Sequence, residues 1–178
     1  MTSVYEAEAQ GTKLIFSSIN TADGKTKTTL TAMGMEIQKS VFDGEKGYTS
    51  QQGMKNEMTE DEIESQKYSA LPFPELAFFE KKDLKLIGIE SIDGKDAFVI
   101  QDGKTKHFYD VNTSLKVGSS TEIEAQGQKF VQTFSFGEYK DFDGIKIPSE
   151  FNMSVGIDLN FKLIDLKFNR ELADSDFE

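Results

Sequence analysis

The chain has 178 residues, 37% of them apolar, which is enough for a hydrophobic core without covalent staples. It contains no cysteine, and this excludes disulfides and thiolate chemistry. Its formal net charge of −11 repels phosphate backbones and anionic membrane surfaces, so we expect no nucleic-acid partner.

The chain opens with MTSVYEAEAQ, which has neither the basic flank nor the apolar run of a signal peptide. Its longest apolar runs, such as residues 76–79, are far too short to cross a membrane. We therefore expect no transmembrane segment. The opening fits a cytoplasmic protein or a domain excised from a longer chain.

Alternating apolar and polar residues predict strands over 26–37, 116–125 and 128–136, and around Phe151 and Met153. Over 26–37 the alternation places Met33 and Met35 on one face of a single strand. Asp-Gly pairs favour type I′ hairpin turns, because both turn residues need positive φ. The pattern predicts an antiparallel meander, with Asp-Gly turns at 23–24, 43–44, 93–94, 102–103 and 143–144.

Residues 59–70 break the strand pattern. Thr59 followed by Glu62 is typical of a capping box, and acidic residues of the first turn suit a helix N-terminus. The helix must end before Pro72. The sequence therefore predicts one short helix over 59–70.

The apolar segment LPFPELAFF over 71–79 follows this helix. One interpretation is a loop that covers the core, since the apolar face of a sheet always needs a cover. The other is an apolar plug over a cavity, stiffened by Pro72 and Pro74.

The last long strand, 157–168, changes phase, with odd apolar positions up to Leu163 and even ones from Ile164. A β-bulge produces such a switch and would leave Asp165 and Lys167 pointing outward. The alternative is a strand buried on both faces beyond residue 163.

Catalytic and metal motifs are missing. His107 is the only histidine, which excludes a helical H-E-x-x-H zinc site, and its strand position favours a structural role. There is no G-x-S-x-G elbow, Walker A motif or dinucleotide fingerprint. A calcium loop around Asp143 would begin at Tyr139 and contain Pro148, so it fails. We expect no catalytic residue, no metal and no cofactor.

Residues 84–178 resemble the second half of a LolA/LolB-like lipoprotein-sorting domain. A G-x-E strand and an aromatic-rich strand come first, and the acidic-aromatic tail DLKFNRELADSDFE comes last. Between them lie two motifs, one made of Tyr109, Asp110, Thr113 and Leu115, and one of Tyr139, Asp141, Asp143, Gly144, Ile145, Ile147 and Pro148. Within that resemblance, the sequence is most similar to the non-catalytic C-terminal region of pitrilysin-like (insulinase-type) zinc proteases of Bacteroidetes-type bacteria.

The resemblance implies a single half-barrel domain over 1–178. Its fold would be mainly β, a curved antiparallel sheet forming an incomplete barrel, with one or two short helices covering the concave face. It implies a non-enzymatic domain, periplasmic or associated with the outer membrane, that binds a lipid, an acyl chain or a lipoprotein. The alternative is a structural accessory module of a larger zinc protease, with that protease as its partner and no ligand of its own.

The apolar set contains 15 Phe and 6 Met residues and no Trp. These large side chains make few polar demands and suit an acyl chain as well as an ordinary core. We predict that a ligand would lie between a set of strand residues and the plug. The strand residues are Phe130, Phe134, Phe136, Phe151, Met153 and Phe161, and the plug residues are Leu71, Phe73, Leu76, Phe78 and Phe79.

Overall fold

The structure, a computed structural model, describes residues 1–92, 94–125, 128–154 and 157–177. Over these ranges the chain forms thirteen strands and one α-helix, with short 3₁₀ helices at Pro74–Ala77 and Asp174–Phe177. The strands and the helix are β1 (Thr2–Ala9), β2 (Thr12–Asn20), β3 (Thr26–Ala32), β4 (Met35–Phe42), β5 (Gly47–Gln51), β6 (Met54–Glu57), α1 (Glu60–Ser69), β7 (Lys85–Ile92), β8 (Lys95–Asp102), β9 (Thr105–Asp110), β10 (Lys116–Ala125), β11 (Gln128–Phe142), β12 (Ile145–Ser154) and β13 (Asp158–Lys167).

All strands belong to one antiparallel sheet that is not closed. Their order is β6-β5-β4-β3-β2-β1-β13-β12-β11-β10-β9-β8-β7. Strands that are adjacent in the sheet are therefore also consecutive in the sequence, except for β1 and β13. The sheet ends in two edge strands, β6 and β7. The prediction of a mainly β, antiparallel fold is confirmed.

The chain groups into two compact units. Unit 1 contains residues 1–79 and 163–178, and unit 2 contains residues 80–162. In unit 1 the buried apolar side chains include Tyr5, Leu14 and Phe42. In unit 2 a buried cluster forms around Ala97, Val99 and Phe108.

The turns differ from the prediction at several Asp-Gly pairs. Asp143 and Gly144 form a two-residue turn with φ of 53° and 88°, the positive pair that a type I′ turn requires. Gly103 is instead the first turn residue between β8 and β9, the φ pattern of a type II′ turn. The type I′ prediction is also wrong at 23–24 and 43–44, which lie in longer loops where Asp23 and Asp43 keep negative φ.

Three tight hairpins use pairs that the sequence pattern did not mark as turns. Both residues have positive φ at 10–11, 33–34 and 52–53, which are Gln-Gly, Met-Gly and Gln-Gly pairs. The single strand predicted over 26–37 is therefore wrong, because the chain reverses at Met33 and Gly34. Asp93 lies outside the described residues.

The helix prediction is confirmed. Thr59 caps α1, accepting from the Glu62 backbone N–H, and the Glu62 carboxylate accepts from the Thr59 N–H at 2.7 Å. Ala70 is the C-cap of the helix, and its carbonyl accepts a hydrogen bond from the side-chain amide of Asn20 in β2 at 2.9 Å. That bond ties the end of the helix to the sheet within unit 1.

The predicted phase change in β13 is confirmed in part, because Ile164, which the prediction grouped with Leu166, is exposed; the bulge itself stays a prediction. Leu159 and Phe161 are buried, Ile164 and Asp165 are both exposed, and Leu166 is half-buried. Because Asp165 and Lys167 are exposed, the alternative of a strand buried on both faces is wrong.

Candidate ligand-binding face

The strand register of unit 2 brings the predicted aromatic residues together. Phe134 lies opposite Met153, which lies opposite Leu159. In the next row, Phe136, Phe151 and Phe161 lie opposite one another. Opposite residues of antiparallel strands point to the same side. The prediction that Phe130, Phe134, Phe136, Phe151, Met153 and Phe161 share one face is therefore confirmed.

Part of this face is tightly packed. The rings of Phe151 and Phe161 stack at 4.8 Å between centroids, and Phe134 contacts Phe151 at 6.3 Å in a tilted arrangement. Phe151 is 9% exposed and Phe161 is 1% exposed. At β12 and β13 these aromatic rings therefore form core.

The same face continues across β10, β9 and β8 to the edge strand. Phe134 is opposite Ser119, which is opposite His107, and His107 is opposite Ile100. Ile100 in turn is opposite Leu86 of β7. One row further along, Ile89 is opposite Phe98, which is opposite Tyr109. We call the side formed by these residues and the six predicted ones the apolar face of unit 2.

The apolar face opens toward the β7 edge. Phe130 is 43% exposed, Phe98 is 37% exposed, and Ile89 and Leu86 are 58% and 68% exposed. Leu86, Ile89 and Phe98 were not among the predicted site residues. A bulge at Ile87 breaks the alternation of β7, so that Leu86 and Ile89 share a face although they are three residues apart.

A polar cluster lies on the same face near the turn between β8 and β9. Asp102 forms an ion pair with Lys81, and its carboxylate lies 3.8 Å from Nε2 of His107. The hydroxyls of Thr105 and Thr121 are 3.0 Å apart. His107 shares this side with Thr105 and Tyr109, as its strand position predicts. Over the described part of the chain, no cluster of three or more acidic or histidine side chains is arranged to hold a metal.

The five predicted plug residues lie in unit 1, around the 3₁₀ helix Pro74–Ala77. Phe73 and Phe78 are half-buried at its two ends. Leu76 and Phe79 are 71% and 95% exposed. The buried side chain of this helix is that of Ala77, so Leu76 and Phe79 contribute little to the core of unit 1.

Unit 1 also has a groove of about 520 Å³ that the sequence pattern did not indicate. Val41, Tyr48, Met58 and Phe177 contribute to its wall. The Lys55 ammonium lies 3.8 Å from the centre of the Tyr48 ring. Lysines and carboxylates both line the groove, so its charge favours neither an anion nor a cation.

The first resemblance motif forms a structural turn. The Asp110 carboxylate accepts from the backbone N–H groups of Asn112 at 3.0 Å and Thr113 at 2.8 Å, and from the Thr113 hydroxyl. The Asp110 N–H donates to the Leu115 carbonyl, which closes the loop between β9 and β10. The bonds to Thr113 hold the pKa of Asp110 below its ordinary value.

The second motif is structural as well. The Tyr139 hydroxyl donates to the Lys116 carbonyl at 2.6 Å, and the Gly144 N–H donates to the Asp141 carboxylate at 2.8 Å. The first bond joins β11 to the start of β10, and the second closes the turn before β12. The residues that produce the resemblance thus determine loop geometry.

The Asp110 turn gives a testable prediction. Asp110→Ala should lower the melting temperature by roughly 2–5 °C, because it leaves the backbone donors of Asn112 and Thr113 without their acceptor. In the native protein, the lowered pKa means that the stabilisation by the carboxylate is complete above the unfolded-state pKa, near 3.8. It is lost as the pH falls through that value toward the lower, folded-state pKa. Melting curves between about pH 6 and 2 measure both effects.

Asp110→Asn is the matched control, because the amide oxygen can still accept hydrogen bonds but cannot titrate. We expect its stability to fall less steeply below about pH 4 than that of the native chain. Asp43, whose pKa is lowered by hydrogen bonds from Lys46 and Glu45, supplies part of the remaining acid sensitivity. Identical acid profiles for the native chain and Asp110→Asn would contradict the assignment.

The comparisons with protein-family models and with curated proteins found no match for the chain. In the described ranges, no helix is long and apolar enough to span a membrane.

Three solved structures resemble the chain, each over 99% of its length and 88% of their own. A LolA superfamily protein from Nitrosomonas europaea has a TM-score of 0.59 at 13% identity. A domain named for outer membrane lipoprotein sorting, from Vibrio parahaemolyticus, has 0.58 at 14%. A DUF1329 family protein from Desulfovibrio piger has 0.56 at 11%. The chain therefore shares the fold of LolA-superfamily and DUF1329 structures.

Proposed function

We propose that this chain is a non-enzymatic binding protein of the cell envelope, in the periplasm or at the outer membrane, which holds an acyl chain of a lipid or lipoprotein. The observation that carries the proposal is the apolar face of unit 2. Its side chains are buried at β13 and become exposed toward β7, although their register makes them one continuous surface. The likeness to a domain named for lipoprotein sorting supports the choice of ligand.

The exposed part of the face is the proposed contact surface. Leu86, Ile89, Phe98 and Phe130 offer apolar area that an acyl chain would remove from water. Each buried methylene contributes about 0.8 kcal/mol, so a long chain can bind without polar contacts. Lys81 and His107 lie at one end of the face, where they suit a polar headgroup.

Phe151 and Phe161 have a different role in this proposal. They are already packed against each other and have little surface left to offer a ligand. They would form the rigid floor of the binding face. The exposed side chains of Leu76 and Phe79 are proposed as a separate apolar contact surface of unit 1.

Displacement of a fluorescent fatty acid, dansylated undecanoic acid, tests the proposal. The native chain should bind the probe saturably, and an unlabelled long-chain fatty acid should displace it. The double variant Ile89→Asp, Phe98→Asp should bind at least about tenfold more weakly, because an acyl chain would then have to desolvate two carboxylates. Leu76→Asp, Phe79→Asp is measured separately to test the unit 1 contacts.

The matched control is Met35→Asp, Met54→Asp, which places two carboxylates at exposed apolar positions of β4 and β6. Its affinity should stay within about twofold of the native value. Equal loss in the control would show that charge alone weakens binding. A loss caused by Tyr48→Asp alone would move the site to the groove of unit 1.

Native mass spectrometry of freshly purified protein offers a second measurement, since a bound lipid adds a defined mass. If neither experiment detects a ligand, the binding proposal is wrong. The alternative is then a structural accessory module of a larger protein, such as the zinc protease of the sequence resemblance.

A further inference from the structure

The two edges of the sheet differ in chemistry. Edge strand β6 is four residues long, with the sequence MKNE, and such short, charged strands discourage pairing with other chains. Edge strand β7 has eight residues, and Leu86, Ile87 and Ile89 are exposed on it. In the part of the chain that the structure describes, no strand pairs with its outer side. Long apolar edges of this kind are ready to accept another strand.

We infer that β7 pairs antiparallel with β7 of a second copy of this chain, forming a two-fold symmetric dimer with a continuous sheet. The inference does not depend on ligand binding. It depends on the self-complementary sequence of the strand, KLIGIE over 85–90.

The bulge determines the register of the pair. Ile87 is the extra residue, so Lys85, Gly88 and Glu90 point to one side and Leu86 and Ile89 to the other. In a symmetric antiparallel pair, one residue lies on the two-fold axis opposite its own copy. With Gly88 on the axis, Leu86 lies opposite Ile89 of the second copy. Lys85 then lies opposite Glu90 of the second copy, and the symmetry repeats both pairs.

Other registers are less favourable. An axis at Glu90 would place the two Glu90 carboxylates opposite each other, and like charges in that position are destabilising. An axis at Ile89 would leave Leu86 opposite Ser91. The Gly88 register is therefore the one that matches apolar with apolar and opposite charge with opposite charge.

Glu90 already accepts from Lys106 within the chain at 3.2 Å, and a carboxylate has acceptor capacity for a second cation. The net charge of −11 on each copy opposes association over longer distances. We therefore expect a weak dimer, with a dissociation constant in the micromolar to millimolar range, that added salt strengthens by screening that repulsion.

Sedimentation equilibrium over a range of protein concentrations tests the dimer, with charge reversal testing the register. Lys85→Glu and Glu90→Lys should each raise the dissociation constant roughly tenfold, because attraction becomes repulsion at two symmetric positions. The double variant Lys85→Glu, Glu90→Lys restores opposite charges and should return to within about threefold of the native value. Lys85→Glu leaves the Glu90 bond to Lys106 intact, so its effect reports on the interface.

Cysteine cross-linking gives a second, independent readout, because the native chain has no cysteine. A mixture of Leu86→Cys and Ile89→Cys proteins should form a disulfide-linked heterodimer under mild oxidation, since opposite strand residues lie within disulfide range. A mixture of Met54→Cys and Asn56→Cys proteins provides the matched pair on the β6 edge, because these residues share a face of that regular strand, and it should stay monomeric. Circular dichroism verifies that each variant is folded.

A native chain that sediments as a monomer at millimolar concentration overturns the inference. So does a dimer that is insensitive to charge reversal and gives no Leu86–Ile89 cross-link, because it would use another surface.

Discussion

Replacing Phe161 with alanine should lower the free energy of unfolding by about 3–5 kcal/mol, the range for a large aromatic residue removed from a core. Phe161 is almost fully buried and stacks on Phe151, its direct cross-strand neighbour. Removing the ring leaves a cavity that the flanking strands cannot close, because their hydrogen bonds hold them in register. Urea unfolding followed by circular dichroism, with the slope compared between variants, measures the loss.

Phe130→Ala is the matched control, because it is the same change on the same face at a half-exposed ring. It should cost less than about 1.5 kcal/mol, since much of the ring is already in water. Similar losses for the two variants would contradict the division of the apolar face into a packed part and an open part.

Gly118→Ala should destabilise the protein by about 1–3 kcal/mol through overpacking. A Cβ atom at Gly118 would lie 2.7 Å from the backbone oxygen of Phe134 and 3.8 Å from the Phe108 ring. The first of these atoms belongs to the sheet backbone and cannot move without disturbing the pairing of β10 with β11. The shift of the urea midpoint measures the cost.

Gly137→Ala supplies the comparison for this variant. Gly137 lies on β11, and nothing is within 4 Å of the position a Cβ would take. Its stability should stay within about 0.5 kcal/mol of the native value or rise slightly, since alanine restricts the unfolded chain. A loss as large as that of Gly118→Ala would mean that loss of glycine freedom, and not the clash, causes the effect.

The helix and the strand-rich fold could be predicted because their signals are local. The capping box of Thr59 and Glu62 can be recognised from a few consecutive residues. The alternation of apolar and polar residues can be recognised within a single strand. The turn at Met33 and Gly34 was missed because methionine rarely adopts positive φ, and the alternation runs through the reversal without a break. In that hairpin, Gly34 is the residue whose type indicates a turn.

The binding face was predicted in part, for a physical reason. β11 and β12 are regular, so alternation correctly grouped Phe134, Phe136 and Phe151. In β7 the bulge shifts the phase, and Leu86 and Ile89 then read as residues of opposite faces. The exposure of a side chain also depends on which other elements cover it, and the alternation within one strand carries no information about those elements. The core role of Phe161 and the openness of Phe130 therefore required the structure.

The order of the strands has a consequence for the route by which the chain folds. Every pair of neighbouring strands except one is a local hairpin, so most of the sheet can form from contacts that close short loops. The pair of β1 with β13 joins the first described strand to the last and carries the largest loop-closure entropy. During synthesis, β1 stays without this neighbour until β13 has been made. Its unpaired edge is then a site where a folding intermediate can aggregate.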